Sequence, residues 1–143
     1  MTLYQSVSME RCDPVKKIAV DMPGKLYSNG IELALGREGK LCSFTLNHAA
    51  PARQIEECRI RQADVLLLGV SVTAGYTAVE RRPLLELVRR ELPESKIVLV
   101  VDDSMSETLN DQVKDLKQKG LADTFVYTTA ASFPYLAALL ETV

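Results

Sequence analysis

The run Ala63-Asp64-Val65-Leu66-Leu67-Leu68-Gly69-Val70-Ser71 is apolar on both faces and bounded by polar residues. A half-exposed strand would alternate, so this one belongs in the middle of a parallel sheet with helices covering both sides. In open sheets of that kind ligands bind beyond the carboxyl ends of the strands, which places the residues from Gly69 to Thr77 where chemistry is expected. Towards that end stands Gly69, a residue with no side chain to react.

Outward from this strand the chain alternates regularly. Before it lie a strand from Lys17 to Asp21, a helix from about Ser28 to Arg37, a strand from Leu41 to Leu46 and a helix from Pro51 to Arg61. After it come a helix from about Val79 to Leu92, a strand from Lys96 to Val101, a helix from Ser106 to Lys119, a strand from Thr124 to Thr128 and a helix from Phe133 to Thr142. Pro51 and Pro134 fall in first helical turns, Ser132 is placed to cap the last helix, Ser104 and Glu107 have capping-box spacing, and Gly120 is a left-handed terminator. In the fourth helix Leu109, Val113 and Leu116 form an inward stripe. In the third, Leu84, Leu87, Val88 and Leu92 do so, and Arg81, Arg82, Arg89 and Arg90 read as a solvated face. Right-handed crossovers between parallel strands make five such units a doubly wound, three-layer α/β sandwich of flavodoxin-like topology, with strand order 2-1-3-4-5. Residues 1–15 lack periodicity and read as an irregular arm; residues 16–143 form one domain.

A chain of 143 residues is long enough to bury a core without a disulfide or metal. The net charge of −2 provides no basic field for nucleic acid or an anionic membrane. Cys12, Cys42 and Cys58 share no metal-ligand or CxxC spacing and read as reduced thiols, which with the lack of a signal peptide or spanning segment implies a soluble cytoplasmic protein.

Several phrases carry a family likeness. Leu26-Tyr27-Ser28-Asn29-Gly30-Ile31-Glu32-Leu33-Ala34-Leu35, Ala63 to Gly69, Glu91-Leu92-Pro93-Glu94-Ser95-Lys96-Ile97-Val98-Leu99-Val100 and Gly120-Leu121-Ala122-Asp123-Thr124-Phe125-Val126-Tyr127 stand in matching order and spacing. From Lys16 to Thr142 the chain resembles the CheY-like receiver domain of bacterial response regulators, especially those of LuxR/NarL type with a DNA-binding output domain. The resemblance implies two-component signal transduction and transcription regulation. In that family an aspartate ending strand three accepts the phosphoryl group, acidic residues after strand one hold magnesium, a Ser or Thr after strand four binds a phosphoryl oxygen, and a Lys ending strand five pairs with another.

Each of those positions departs from the pattern. This chain has Gly69 for the nucleophile, Asp21 followed by Met22-Pro23 for the acidic pair, Val101 or Asp102 for the hydroxyl residue, and Thr128 for the lysine. No catalytic residue, metal or cofactor is therefore expected. The remaining crevice is polar, with Ser71 and Thr73 after strand three, Asp102 and Asp103 after strand four, and Thr128 and Thr129 after strand five, residue types that also serve as caps and turn formers. His48 is the single histidine and lacks metal-ligand partners. Asp21-Met22-Pro23-Gly24-Lys25 lacks the spacing of a phosphate loop. Phe125 falls at the family's switch-aromatic position, with Tyr127 two residues on, and the surface of helix four, strand five and helix five is where the family dimerises or meets its output domain.

The expectation from the whole sequence is a degenerate receiver. It would be a phosphorylation-independent interaction and dimerisation module, partnered by a protein or an output domain, with no direct nucleic-acid or membrane contact from this segment, and either part of a longer regulator or a stand-alone protein. The alternative is a small-molecule-binding α/β domain taking a nucleotide, an anion or a cobalamin-like ligand, although the histidine that would ligate cobalt is missing.

Overall fold

The computed structural model describes residues 15–36, 40–102, 107–130 and 132–143. The sequence readings on residues 1–14, Arg37, Asp103 and the Ser104 cap lie outside them. The strands are β1 (Lys16–Asp21), β2 (Leu41–Thr45), β3 (Val65–Val70), β4 (Lys96–Val101) and β5 (Thr124–Tyr127). The helices are α1 (Lys25–Gly36), α2 (Pro51–Arg61), α3 (Ala78–Glu91), α4 (Glu107–Gln118) and α5 (Phe133–Thr142). All pairings are parallel and the order is β2-β1-β3-β4-β5, as the alternation predicts. The fold is the CheY-like, flavodoxin-like sandwich.

Alternation of side chains along each strand divides the core in two. Ile18, Val20, Val65, Leu67, Val98 and Val100 meet Ile31 and Leu35 of α1 and Leu136 and Leu140 of α5. On the opposite face Ala19, Leu66, Leu68, Ile97 and Leu99 meet Ile55, Cys58, Leu84, Leu85, Val88, Leu109, Val113 and Leu116 from α2, α3 and α4. Each fully buried Leu, Ile or Val stabilises the fold by about 1.5–3 kcal/mol, so β3, buried at every position, anchors the sheet.

Local signals set the helix ends. Ser132 Oγ accepts from Tyr135 N, and Gly120, at φ 77°, terminates the α4 segment with Leu121 N donating to Leu116 O. α1 begins three residues earlier than the sequence reading, because Gly24 at φ 88° completes the turn out of β1 immediately before Lys25. In α3 the inward stripe is Leu84, Leu85 and Val88, with Leu87 only partly buried.

Candidate functional site

Register brings the sequence-predicted positions to one edge of the sheet. Asp21 lies beside Leu68, Gly69 beside Val100, and Val101 beside Tyr127. Asp102 N donates to Val70 O and Thr128 N to Val101 O, so both residues sit at the carboxyl edge with Asp21 and Gly69.

The space above Gly69 is filled. A Cβ built on Gly69 would stand 2.5 Å from Pro23 Cδ and 3.2 Å from Met22 Sδ. Heavy atoms at the shorter separation overlap, so the Met22-Pro23 turn occupies the volume a nucleophilic side chain would need.

Asp21 is also committed. Its Oδ2 accepts from Arg81 Nη1 at 2.7 Å and Gln54 Nε2 at 2.8 Å, and its carbonyl accepts from Arg81 Nη2 at 2.8 Å. Arg81 Nε donates to Gly69 O at 2.8 Å. Only 5% of Arg81 is exposed, so a guanidinium from α3 joins the ends of β1 and β3. This corrects the expectation of a solvated arginine face. Arg81 points inward because its charge and fork geometry are matched by a carboxylate and two carbonyls. Arg89 also departs from it, donating to Gly120 O, Ser95 O and Asp123 Oδ2, whereas Arg82 is half-buried beside Glu86 and Arg90 is exposed beside Glu91.

The donor set does not fit the magnesium ion of the receiver pattern. The carboxylate of Asp21 is neutralised by Arg81, Pro23 stands nearby where a second acid would be needed, and among the described residues no three His, Cys, Asp or Glu side chains gather.

The hydroxyls after β3 serve the loop. Ser71 is buried, its Oγ accepts from Thr73 N and its N donates to Tyr76 O, so it closes a turn, while Thr73 is exposed. Thr77 caps α3 by accepting from Glu80 N, and the Glu80 carboxylate returns to Thr77 N and Oγ and to Gly75 N. The Thr77 side-chain hydrogen bond, then the Gly75 and Thr77 backbone N–H groups, hold the Glu80 carboxyl below its usual range. Thr77-x-x-Glu80 is a capping-box spacing legible in the sequence. Thr129 is exposed at the carboxyl edge.

Open space lies to one side, between the starts of α2 and α3. A cavity of about 640 Å³ is lined there by Asp21, His48, Gln54, Tyr76, Glu80 and Arg81, among others. The Tyr76 ring centre is 5.1 Å from the Arg81 guanidinium carbon. At the other side of the sheet Phe125 and Tyr127 are half-buried and meet edge to face at 5.8 Å, while Tyr135 of α5 is more than half exposed. Among the described residues no helix is long and apolar enough to cross a membrane.

The chain matches no protein-family model and no curated protein sequence. Solved structures do match. A CheY-like protein, TadZ, from Pseudomonas aeruginosa aligns with a TM-score of 0.65 at 14% identity, over 89% of this chain and 98% of the other. The receiver domain of NtrX from Brucella abortus gives 0.67 at 14% identity over 89% and 96%. A protein described as one of a family of streptococcal redox sensors evolved from two-component response regulators gives 0.67 at 17% identity over 89% of this chain and 50% of that one. Strand order, crossover pattern and these alignments together make the architecture of this chain that of the CheY-like receiver domains.

Proposed function

We propose that this chain is a receiver-type signalling domain that works through protein contact and without phosphoryl transfer. The observation that carries the reading is the filled acceptor position: Gly69 has no side chain and Pro23 leaves no room for one. The ion pair of Arg81 with Asp21 supports it further, since a fixed internal cation occupies the acid that would otherwise hold a metal. The description of a same-fold protein as a redox sensor that evolved from response regulators agrees with a scaffold whose signal has changed.

In this reading the domain has no catalytic activity of its own and acts on a protein partner or output domain in transcription regulation. Its contact surface is α4-β5-α5, where α5 carries the exposed ring of Tyr135 and β5 carries the half-buried rings of Phe125 and Tyr127. Exposed aromatics of this kind serve as interface anchors, and an isologous pairing of this face would give a homodimer.

Two measurements test the proposal. Incubation with acetyl phosphate and magnesium followed by intact mass should leave the protein unmodified; a hydroxylamine-labile phosphoryl adduct would overturn it. Sedimentation velocity should report a dimer that Tyr135→Glu converts to monomer, and a strict monomer at high concentration removes the dimer from the reading.

A further inference from the structure

One side of the β2 backbone is unused. β2 stands at the edge of the sheet, paired on its inner side with β1. Lys16 N donates to Lys40 O and Leu46 N donates to Val20 O. In a parallel ladder each bonding residue engages the two neighbours of its Cα partner, so between those two bonds Lys16, Ile18 and Val20 take the even-numbered residues from Lys40 to Leu46. The N–H and C=O groups of Leu41, Ser43 and Thr45 therefore point away from the sheet. Among the described residues no hydrogen-bond partner meets them.

Edges of this kind are ordinarily blunted by charge, proline or a bulge. The strand Leu41-Cys42-Ser43-Phe44-Thr45 has no charged residue and no proline, and its register with β1 is unbroken. The Cys42 side chain is exposed on it. Its outward groups are also symmetric about Ser43. A second copy, turned antiparallel about a two-fold axis through Ser43, sets Ser43 against Ser43 and Leu41 against Thr45 of the other copy. Each such pair exchanges both N–H···O bonds. This axis uses all three outward residues; moving it by one residue leaves one of them without a partner in the strand, and a half-residue shift sets outward groups against inward ones. Between the bonded pairs Cys42 lies opposite Phe44, so no like charges meet across the seam. Lys40 of each copy is carried to the end of the other copy's strand, where the Glu32 carboxylate is held by Thr45 Oγ1, so the flanking charges are opposite in sign.

We propose that β2 is a self-association edge, through which two copies of this chain pair antiparallel and join their sheets into one. The seam lies at the opposite edge from β5. It is independent of the contact assigned to α4-β5-α5 and leaves that face open to a partner. A seam one strand wide, without an aromatic anchor, is weaker than a standard interface, and it forms at higher concentration than the contact through Tyr135.

The test uses the Tyr135→Glu chain, which disables the α5 face, and follows backbone amide exchange by NMR from micromolar to millimolar concentration. The amides of Leu41, Ser43 and Thr45 should exchange freely when dilute. They should slow by roughly tenfold where about nine-tenths of the chains are paired, since exchange then proceeds through the unpaired fraction. The amides of Cys42, Phe44 and Leu46 are bonded to β1 and should not change. Ser43→Pro removes the central outward N–H and spares the ladder to β1, whereas Ser43→Lys sets like charges against each other at the axis. Both should abolish the slowing while the amide shifts of β3 stay native. Slow exchange of the three outward amides at every dilution would mean that another segment covers the edge, and would overturn the pairing. Free exchange at millimolar concentration, or slowing retained in both variants, would overturn it equally. The alternation along β2 is read locally, so failure here is distinct from failure of the acetyl phosphate test or of the contact through Tyr135.

Discussion

Gly69 is where a single residue decides what the sheet edge can do. Backbone strain is not the obstacle to a side chain there; the ring of Pro23 is. Gly69→Ala should therefore cost about 1–3 kcal/mol through overpacking and lower Tm by roughly 3–9 °C. An unchanged or higher midpoint in thermal unfolding would show that the Met22-Pro23 turn yields. The same turn explains why restoring an aspartate at 69 alone should not restore phosphorylation. Cys58 provides a second test at this scale. Burial, with the nearby Glu57 charge adding, pushes its thiol up to about 12, so it is protonated and shielded at neutral pH. Iodoacetamide followed by peptide mass mapping should label the exposed Cys42 in the native protein and reach Cys58 only after denaturation.

At the scale of elements, the ends of α3 and β4 depend on a few polar side chains. Thr77→Ala removes the α3 cap and its reciprocal partner for Glu80, and should cost about 1 kcal/mol by denaturant unfolding. At the other end of the sheet Asp123 accepts from Ile97 N and Arg89 Nη2, tying β4 to α3. Its partial burial works to raise its pKa, but the Ile97 N–H, the Arg89 hydrogen bond and charge, and the charge of Lys96 outweigh that and leave it below the ordinary 3.8. A carboxyl lowered on folding stabilises the native state above its unfolded pKa, and the contribution is lost as pH falls through the folded value. Stability measured from pH 6 downward should thus fall below about pH 4, and Asp123→Asn should flatten that part of the acid limb. A variant with the wild-type slope would assign the acid sensitivity to other carboxylates.

For the whole molecule, Arg81 is the tie between layers, since one guanidinium from α3 holds the ends of β1 and β3. Arg81→Met leaves Asp21 with a charge and no ion partner. The cost should be about 3 kcal/mol, near the lower end for a broken buried pair because Asp21 is 18% exposed. Asp21→Asn combined with Arg81→Met should cost less than the two single changes added, and strict additivity in the double-mutant cycle would remove the coupling. The chain's letters were sufficient for the five βα units and their order in the sheet, because apolar runs and helix caps are local and survive without coordinates. The long-range pairing was not legible. Asp21 and Arg81 are 60 residues apart, and nothing local tells a helix arginine bound for solvent from one bound for a carboxylate. The same holds for Ser71, which reads as a crevice hydroxyl yet closes a turn, and for Gln54 and His48, which line the open cavity. Only packing settles which polar group meets which, since each choice depends on the volume and charge that distant segments bring to the same edge.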